Sequence, residues 1–178
     1  MIVIIDYGIS NIGSIKNALD FLGFKSKISK SINEIKKANK LIIPGNGNFG
    51  HGVKLLEKLN LKDIINELVL VKKVPILGIC LGYQLMFETS EENPKSRGFG
   101  WIKGKVSKFK KTKKFPIPHV GWNQISFHKM TLTKNIPNNT RFYFDHSFFT
   151  IIQEKKFKFG KTDYNNIFQS LYEKDNIF

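Results

Sequence analysis

The chain holds one cysteine, Cys80, inside the pentapeptide Gly78-Ile79-Cys80-Leu81-Gly82. A reactive side chain with glycine two residues to either side has the form of a nucleophile elbow, G-x-C-x-G, between a strand and a helix. The turn forces strained backbone on its central residue and leaves no room for neighbouring Cβ atoms. It would lift the thiol above the carboxyl end of the sheet, where open α/β sheets take their ligands. Backbone N–H groups at the start of the next helix would then lower the thiol pKa and stabilise an oxyanion. The chemistry implied is attack of a thiolate on an acyl carbon, with a covalent thioester between two easier steps. The competing account of a lone cysteine is a small buried hydrophobe, and it leaves the paired glycines unexplained.

A second glycine-rich segment, Pro44-Gly45-Asn46-Gly47-Asn48-Phe49-Gly50, follows the apolar run Leu41-Ile42-Ile43. Placed beside the elbow, it could supply another oxyanion N–H. It does not match G-x-x-x-x-G-K-[ST], which argues against a phosphate-binding loop. A thiol nucleophile also wants a general base and a group to orient it. The histidines are His51, His119, His128 and His146. His51 reads as part of the glycine loop, extended through Gly52, His119 as part of a Pro-His-Val-Gly-Trp turn, and His128 as a polar strand end. No metal-ligand cluster is present, and no organic cofactor is implied.

The elements that must position these residues alternate in the first half. Ile2–Ile5, Leu41–Ile43 and Pro75–Ile79 are short continuous apolar runs, the mark of strands buried on both faces. Ile12, Ile15, Ala18, Leu19 and Leu22 fall at helical spacing, with Gly23 placed to end that helix. Ser31-Ile32-Asn33-Glu34 has the form of a capping box opening a helix to about Ala38. A further helix is predicted from Val53 to about Val71, broken near Asn60, and Leu85, Met86 and Phe87 read as helix after the elbow. This order implies an α/β fold with a parallel sheet covered on both sides. From Trp101 onward, short alternating runs such as Arg141-Phe142-Tyr143-Phe144 predict partly antiparallel strands added to the same sheet. No linker or repeat divides residues 1–178, so a single domain is expected.

Composition narrows the function classes. The formal net charge is +15, but 27 of the 29 basic residues are Lys and only Arg97 and Arg141 are Arg. The lysines are spread along the chain, clustering only over 103–114, whereas nucleic-acid readers favour Arg for bidentate contacts. No nucleic-acid partner is therefore expected. No apolar run approaches the roughly 20 residues needed to cross a bilayer, and Met1–Ile5 lacks the basic flank of a signal peptide. One cysteine fits a reducing, cytoplasmic setting.

Taken together, these segments resemble the class I (triad-type) glutamine amidotransferases, and within them the glutaminase subunit of imidazole glycerol phosphate synthase. The matching residues are Asp6-Tyr7-Gly8 with Asn11; Pro44-Gly45-Asn46-Gly47 with Phe49-Gly50; Gly78-Ile79-Cys80-Leu81-Gly82-Tyr83-Gln84-Leu85; Gly98-Phe99-Gly100-Trp101-Ile102; Pro118-His119-Val120-Gly121-Trp122-Asn123; and His146-Ser147-Phe148. They occur in family order along essentially the whole chain. The resemblance implies a flavodoxin-like, mostly parallel sheet with helices on both faces. It implies that Cys80 attacks the side-chain amide of glutamine, releasing ammonia and then glutamate. Leu81 and the backbone of Gly45, Asn46 and Gly47 would form the oxyanion hole. Gln84, with the backbone around His146, Ser147 and Phe148, would hold the amino-acid end of glutamine. Ammonia would pass to a (β/α)₈-barrel synthase (cyclase) subunit in a heterodimer serving histidine biosynthesis, with Asn11, Trp122, Asn123 and Tyr143 towards that partner. Without the resemblance, Trp122 and Tyr143 could equally be core aromatics.

The resemblance breaks in three places. The family's base and orienter lie in a late His-Pro-Glu segment, which occurs nowhere in these 178 residues. The expectation is a C-terminally incomplete domain, lacking the last strand and helix, with an open sheet edge and little or no glutaminase activity alone. A truncated gene product and a short, catalytically silent protein both fit. Asn46 and Asn48 stand in the oxyanion loop, and Asp145 precedes His146, where apolar or smaller residues are usual. Trp101–Val106 also looks like paralogues that feed ammonia to a surface-sugar amidotransferase. That acceptor, or a non-catalytic binding partner of a synthase barrel, is the alternative to histidine synthesis.

Overall fold

The computed structural model describes residues 1–9 and 11–178. The first half builds a parallel four-stranded sheet from β1 (Ile2–Ile5), β2 (Ser26–Ser29), β3 (Lys40–Ile43) and β4 (Ile76–Gly78), in the order β2-β1-β3-β4. Alternation turns Val3, Ile5, Leu41, Ile43 and Ile76 to one face, where they join the core with Phe49, Val53 and Leu56 of α3 (Phe49–Lys58) and Leu61 and Ile65 of α4 (Leu61–Asn66). A π-helical turn, Glu67–Val71, follows α4. α1 (Ile12–Phe21) lies along β1 and β2 and buries no residue fully; Phe21, Leu22 and Phe24 at its end are exposed.

Local chemistry explains most boundaries. Gly23, at φ +76°, closes α1 by donating to the Asp20 carbonyl while Phe24 N–H reaches back to Leu19, so the last carbonyls are satisfied by a left-handed cap. The capping box expected at Ser31 does not form. Ser31 makes no side-chain cap, and Glu34 turns instead to Ser29 Oγ and Lys27 Nζ, leaving α2 (Ile32–Ile35) a single turn continued to Ala38 by backbone bonds. α3 starts earlier than the apolar pattern indicates because Asn48 caps it, its Oδ1 accepting from His51 N–H at 3.0 Å. Gly50, His51 and Gly52 therefore belong to a helix and not to the loop. Asn60, at φ 54°, makes the anticipated break.

After the elbow only one helical turn, α5 (Leu81–Gln84), is present, and Phe87 opens a strand, β5 (Phe87–Ser90), where helix was expected. The second half is strands: β6 (Ile102–Lys108), β7 (His119–Gln124), β8 (Ser126–Phe127), β9 (Arg141–His146), β10 (Phe148–Ile152), β11 (Lys158–Tyr164) and β12 (Asn166–Glu173). They do not extend the parallel sheet as expected. They pair as β10-β6-β5, β12-β11-β8 and the ribbon β7-β9. The outer edge of β4 is not open either: Asn176–Phe178 runs parallel beside it, with Ile76 N–H donating to Asn176, Phe178 N–H to Ile76, and Gly78 N–H to Phe178. Among the described residues no helix is long and apolar enough to cross a membrane.

The tightest contact lies where β4 meets α5. A Cβ on Gly82 would sit 1.8 Å from the Ile43 carbonyl oxygen, whereas one on Gly13 in α1 would meet nothing within 4 Å. Gly82→Ala is therefore expected to cost about 3 kcal/mol through backbone displacement. Gly13→Ala should stabilise by roughly 0.5–1 kcal/mol through helix propensity. Denaturant unfolding of the two variants checks the opposite signs.

Candidate active site

Cys80 occupies φ 54°, ψ −111°, a strained conformation for a side chain with a Cβ. Three backbone hydrogen bonds hold it. Ile79 N–H donates to the Ile43 carbonyl at 3.0 Å, tying the turn to the end of β3. Gly82 N–H folds back on Ile79 at 2.9 Å, and Gln84 N–H on Cys80 at 3.1 Å. A Cβ on Gly78 would approach the Tyr83 backbone to 2.8 Å, so both glycines of the pentapeptide are required by packing.

The glycine loop lies against the elbow as expected. A Cβ on Gly45 would come within 2.6 Å of the Tyr7 hydroxyl and 2.8 Å of Leu81 Cβ. Tyr7, buried at the end of β1, donates its hydroxyl to the Pro44 carbonyl and so pins the start of this loop. The far end is held by Glu92, which accepts from Phe49 N–H at 2.7 Å. Between these anchors Asn46 and Gly47 are exposed, Gly47 at φ +101°. Leu81 N–H, expected as an oxyanion donor, donates to the Gly45 carbonyl at 3.4 Å, a long bond. Asn48, noted as unusual for this loop, is explained by its helix cap.

Beyond the elbow opens a cleft of about 400 Å³. Cys80, Gln84, Tyr143, Asp145, His146 and Phe148 line it, and Phe142, Phe144, Phe168 and Phe178 supply apolar wall. Gln84 Nε2 donates to the Phe148 carbonyl at 3.4 Å, and His146 Nδ1 donates to the same oxygen at 2.7 Å. Ser147 is half-buried between β9 and β10, and its carbonyl accepts from Phe109 N–H at 3.1 Å. Thus Cys80, Gln84, His146 and Phe148 share one cleft, while the glycine loop meets the elbow from the side of Leu81.

The thiol is open to the cleft, but its pKa is raised, not lowered as the sequence suggested. The surrounding walls withhold water from the charged form, and Asp145 adds like charge; the Leu81 N–H opposes both and loses. One turn of helix offers too small a dipole to reverse that balance. Burial also raises the Tyr7 hydroxyl, keeping it a neutral donor.

The two histidines of this region are fully engaged. His146 bonds Phe148 through Nδ1 and His119 through Nε2, the latter at 2.9 Å, and His119 Nε2 meets Asn123 Nδ2 at 3.3 Å. His51 is an exposed residue of α3. Among the described residues, none offers a side-chain hydrogen bond to Cys80. His119 is the residue that sequence reasoning passed over. It is no turn residue but the buried first position of β7, stacked between Phe144 and Tyr164 with ring centroids 4.8 and 3.8 Å away. Tyr7 was likewise quoted without a role; neither spacing nor composition signals a bond to Pro44, 37 residues away.

Three of the four residues assigned to a partner, Asn11, Trp122 and Tyr143, occupy exposed positions. Trp122 and Tyr143 are register partners on one face of the β7-β9 ribbon, 62% and 59% exposed, with rings edge to face at 5.8 Å. They are not core aromatics. Asn11 is exposed at the start of α1. Asn123 points to the other face, half-buried, and donates to the Asp163 carbonyl at 3.0 Å.

Comparison with known proteins identifies the family. The family model for glutamine amidotransferase class-I matches residues 3–178. Imidazole glycerol phosphate synthase subunit HisH 2 of Methanococcus maripaludis is 47% identical, the match spanning 100% of this chain and 88% of the relative. Subunit HisH of Leptospira interrogans is 38% identical over 100% of this chain and 89% of its own length. A crystal structure of a glutamine amidotransferase superposes with a TM-score of 0.77 at 14% identity, covering 98% of this chain and 86% of that one, a likeness of fold. With an elbow cysteine, a glycine loop against it and a family match along nearly its whole length, the chain belongs to the class-I glutamine amidotransferases.

Proposed function

We propose that this chain is the glutaminase subunit of an imidazole glycerol phosphate synthase, supplying ammonia for histidine biosynthesis. The observation that carries the proposal is Cys80, held at φ 54° on the elbow and open to a cleft it shares with Gln84 and Phe148. The names of its relatives support the pathway.

In this reading, glutamine enters with its amino-acid end on Gln84 and the backbone around His146–Phe148. The Cys80 thiolate attacks the side-chain amide carbon, and the developing oxyanion takes N–H bonds from Leu81 and from the Gly45-Asn46-Gly47 backbone. For Leu81 to serve, the Gly45 carbonyl that now accepts its N–H must turn away. Collapse of the tetrahedral adduct breaks the C–N bond, and the proton given up by the thiol on attack passes to the departing nitrogen, which leaves as neutral ammonia. Water attacks the thioester, glutamate departs and the thiol is restored. Ammonia then moves to a (β/α)₈-barrel cyclase subunit docked on the face carrying Asn11, Trp122 and Tyr143, with Asn123 beneath it. Exposed aromatics of this kind are the anchors that interfaces favour.

A second reading, a partner that docks on a synthase barrel without hydrolysing glutamine, draws on one observation. Both imidazoles of this region are committed elsewhere, and among the described residues no side chain hydrogen-bonds Cys80. Missing triad members typically cost about 10³–10⁶ in rate. A polypeptide limited to residues 1–178, assayed with the barrel partner, is therefore expected to release glutamate that far below a triad-bearing relative. Any residual turnover should vanish in Cys80→Ala; turnover that survives the substitution excludes the thiol mechanism.

Electrostatics adds a test independent of turnover. Since the walls and Asp145 raise the thiol pKa, alkylation by iodoacetamide should climb with pH to a midpoint above the ordinary thiol value. Asp145→Asn removes the like charge, so the midpoint should move down and the rate at pH 8 rise severalfold. An unchanged profile would show that Asp145 does not act on Cys80.

A further inference from the structure

Resting on the glutamine reading above, we infer that His119 is a positioning residue for the substrate: it fixes His146, and through it the Phe148 carbonyl, by a chain of hydrogen bonds running one way from Asn123. The direction follows from chemistry. A carbonyl can only accept, so the 2.7 Å contact requires His146 Nδ1 to carry its hydrogen. A neutral imidazole has one N–H, which leaves His146 Nε2 an acceptor. The partner at 2.9 Å, His119 Nδ1, must then donate. His119 Nε2 is left to accept, and the Asn123 amide nitrogen at 3.3 Å is a donor. Every polar atom has one consistent role, and the chain ends on the oxygen that also receives Gln84 Nε2.

The surroundings enforce neutrality. His119 is buried between Phe144 and Tyr164, with Phe109 and Phe168 edge-on. Burial, helped by the neighbouring His146, lowers its pKa to about 4, and burial lowers that of His146 too. A second proton on either ring would set two donors face to face. The pair is therefore a fixed strut, not a base. Its position is specific: the segment from His146 to Phe148 joins β9 to β10, and the strut braces the carbonyl against which Gln84 is set.

Two variants separate this role from aromatic packing. His119→Phe keeps a ring between Phe144 and Tyr164 but leaves His146 Nε2 without a donor. His119→Asn forfeits the stacking but returns an amide N–H near the place of Nδ1. The measurement is Cys80 alkylation in the full chain by a chloroketone analogue of glutamine, divided by alkylation with iodoacetamide, which needs no amino-acid recognition. The expected result is a roughly tenfold lower ratio in His119→Phe, a loss within about threefold in His119→Asn, and little change in the iodoacetamide rate. A full ratio in His119→Phe, or a larger loss in His119→Asn, overturns the inference alone. A wild-type chain with no preference for the chloroketone overturns the glutamine reading and the inference with it. Histidine ¹⁵N spectra of the wild-type chain at pH 7 need no variant: both rings should be Nδ1–H tautomers, and an Nε2–H at His146 refutes the chain.

Discussion

The site depends on one close approach, that of the elbow backbone to the end of β3. With no side chain on Gly82, the first turn of α5 sits against the Ile43 carbonyl, and that same oxygen accepts from Ile79 N–H. Held from both sides, Cys80 cannot relax to negative φ without breaking one of these contacts. Such strain costs on the order of 1–3 kcal/mol, and the buried core of β1, β3, β4 and α3 offsets it. The thiol is thus a property of the sheet as much as of the pentapeptide.

The same geometry sets the electrostatics. A single helical turn separates the elbow from β5, and Leu81 is the backbone N–H that favours the thiolate. Leu81 N–H is shared with the Gly45 carbonyl, and the cleft walls are largely aromatic. Desolvation then outweighs hydrogen bonding, and the thiol stays protonated at neutral pH. Turning the Gly45 carbonyl away would free Leu81 N–H for the sulfur without moving Cys80 itself.

The parallel sheet and the elbow that carries Cys80 were legible because buried strands and paired glycines leave strong local signatures. What failed was decided at a distance. Ser31 has the residue types of a capping box, yet Glu34 finds better partners in Ser29 and Lys27. Phe87 continues an apolar helical pattern, yet it pairs with Ile102 as a strand. A raised thiol pKa reflects walls contributed by β9, β10 and β12, which no window around Cys80 contains. His119 looked like a turn residue because Pro118 and Gly121 flank it, and only the pairing of β7 with β9 places it opposite His146.

That pairing also explains how one ribbon presents two unlike faces. Successive side chains of a strand alternate between faces. Val120, Trp122 and Tyr143 are exposed, while His119, Asn123, Phe142, Phe144 and His146 are turned inward. A slip of one residue would carry Trp122 into the aromatic cage and His119 into water. The strut from Asn123 to Phe148 is therefore correct only in the register that also presents Trp122 and Tyr143 outward.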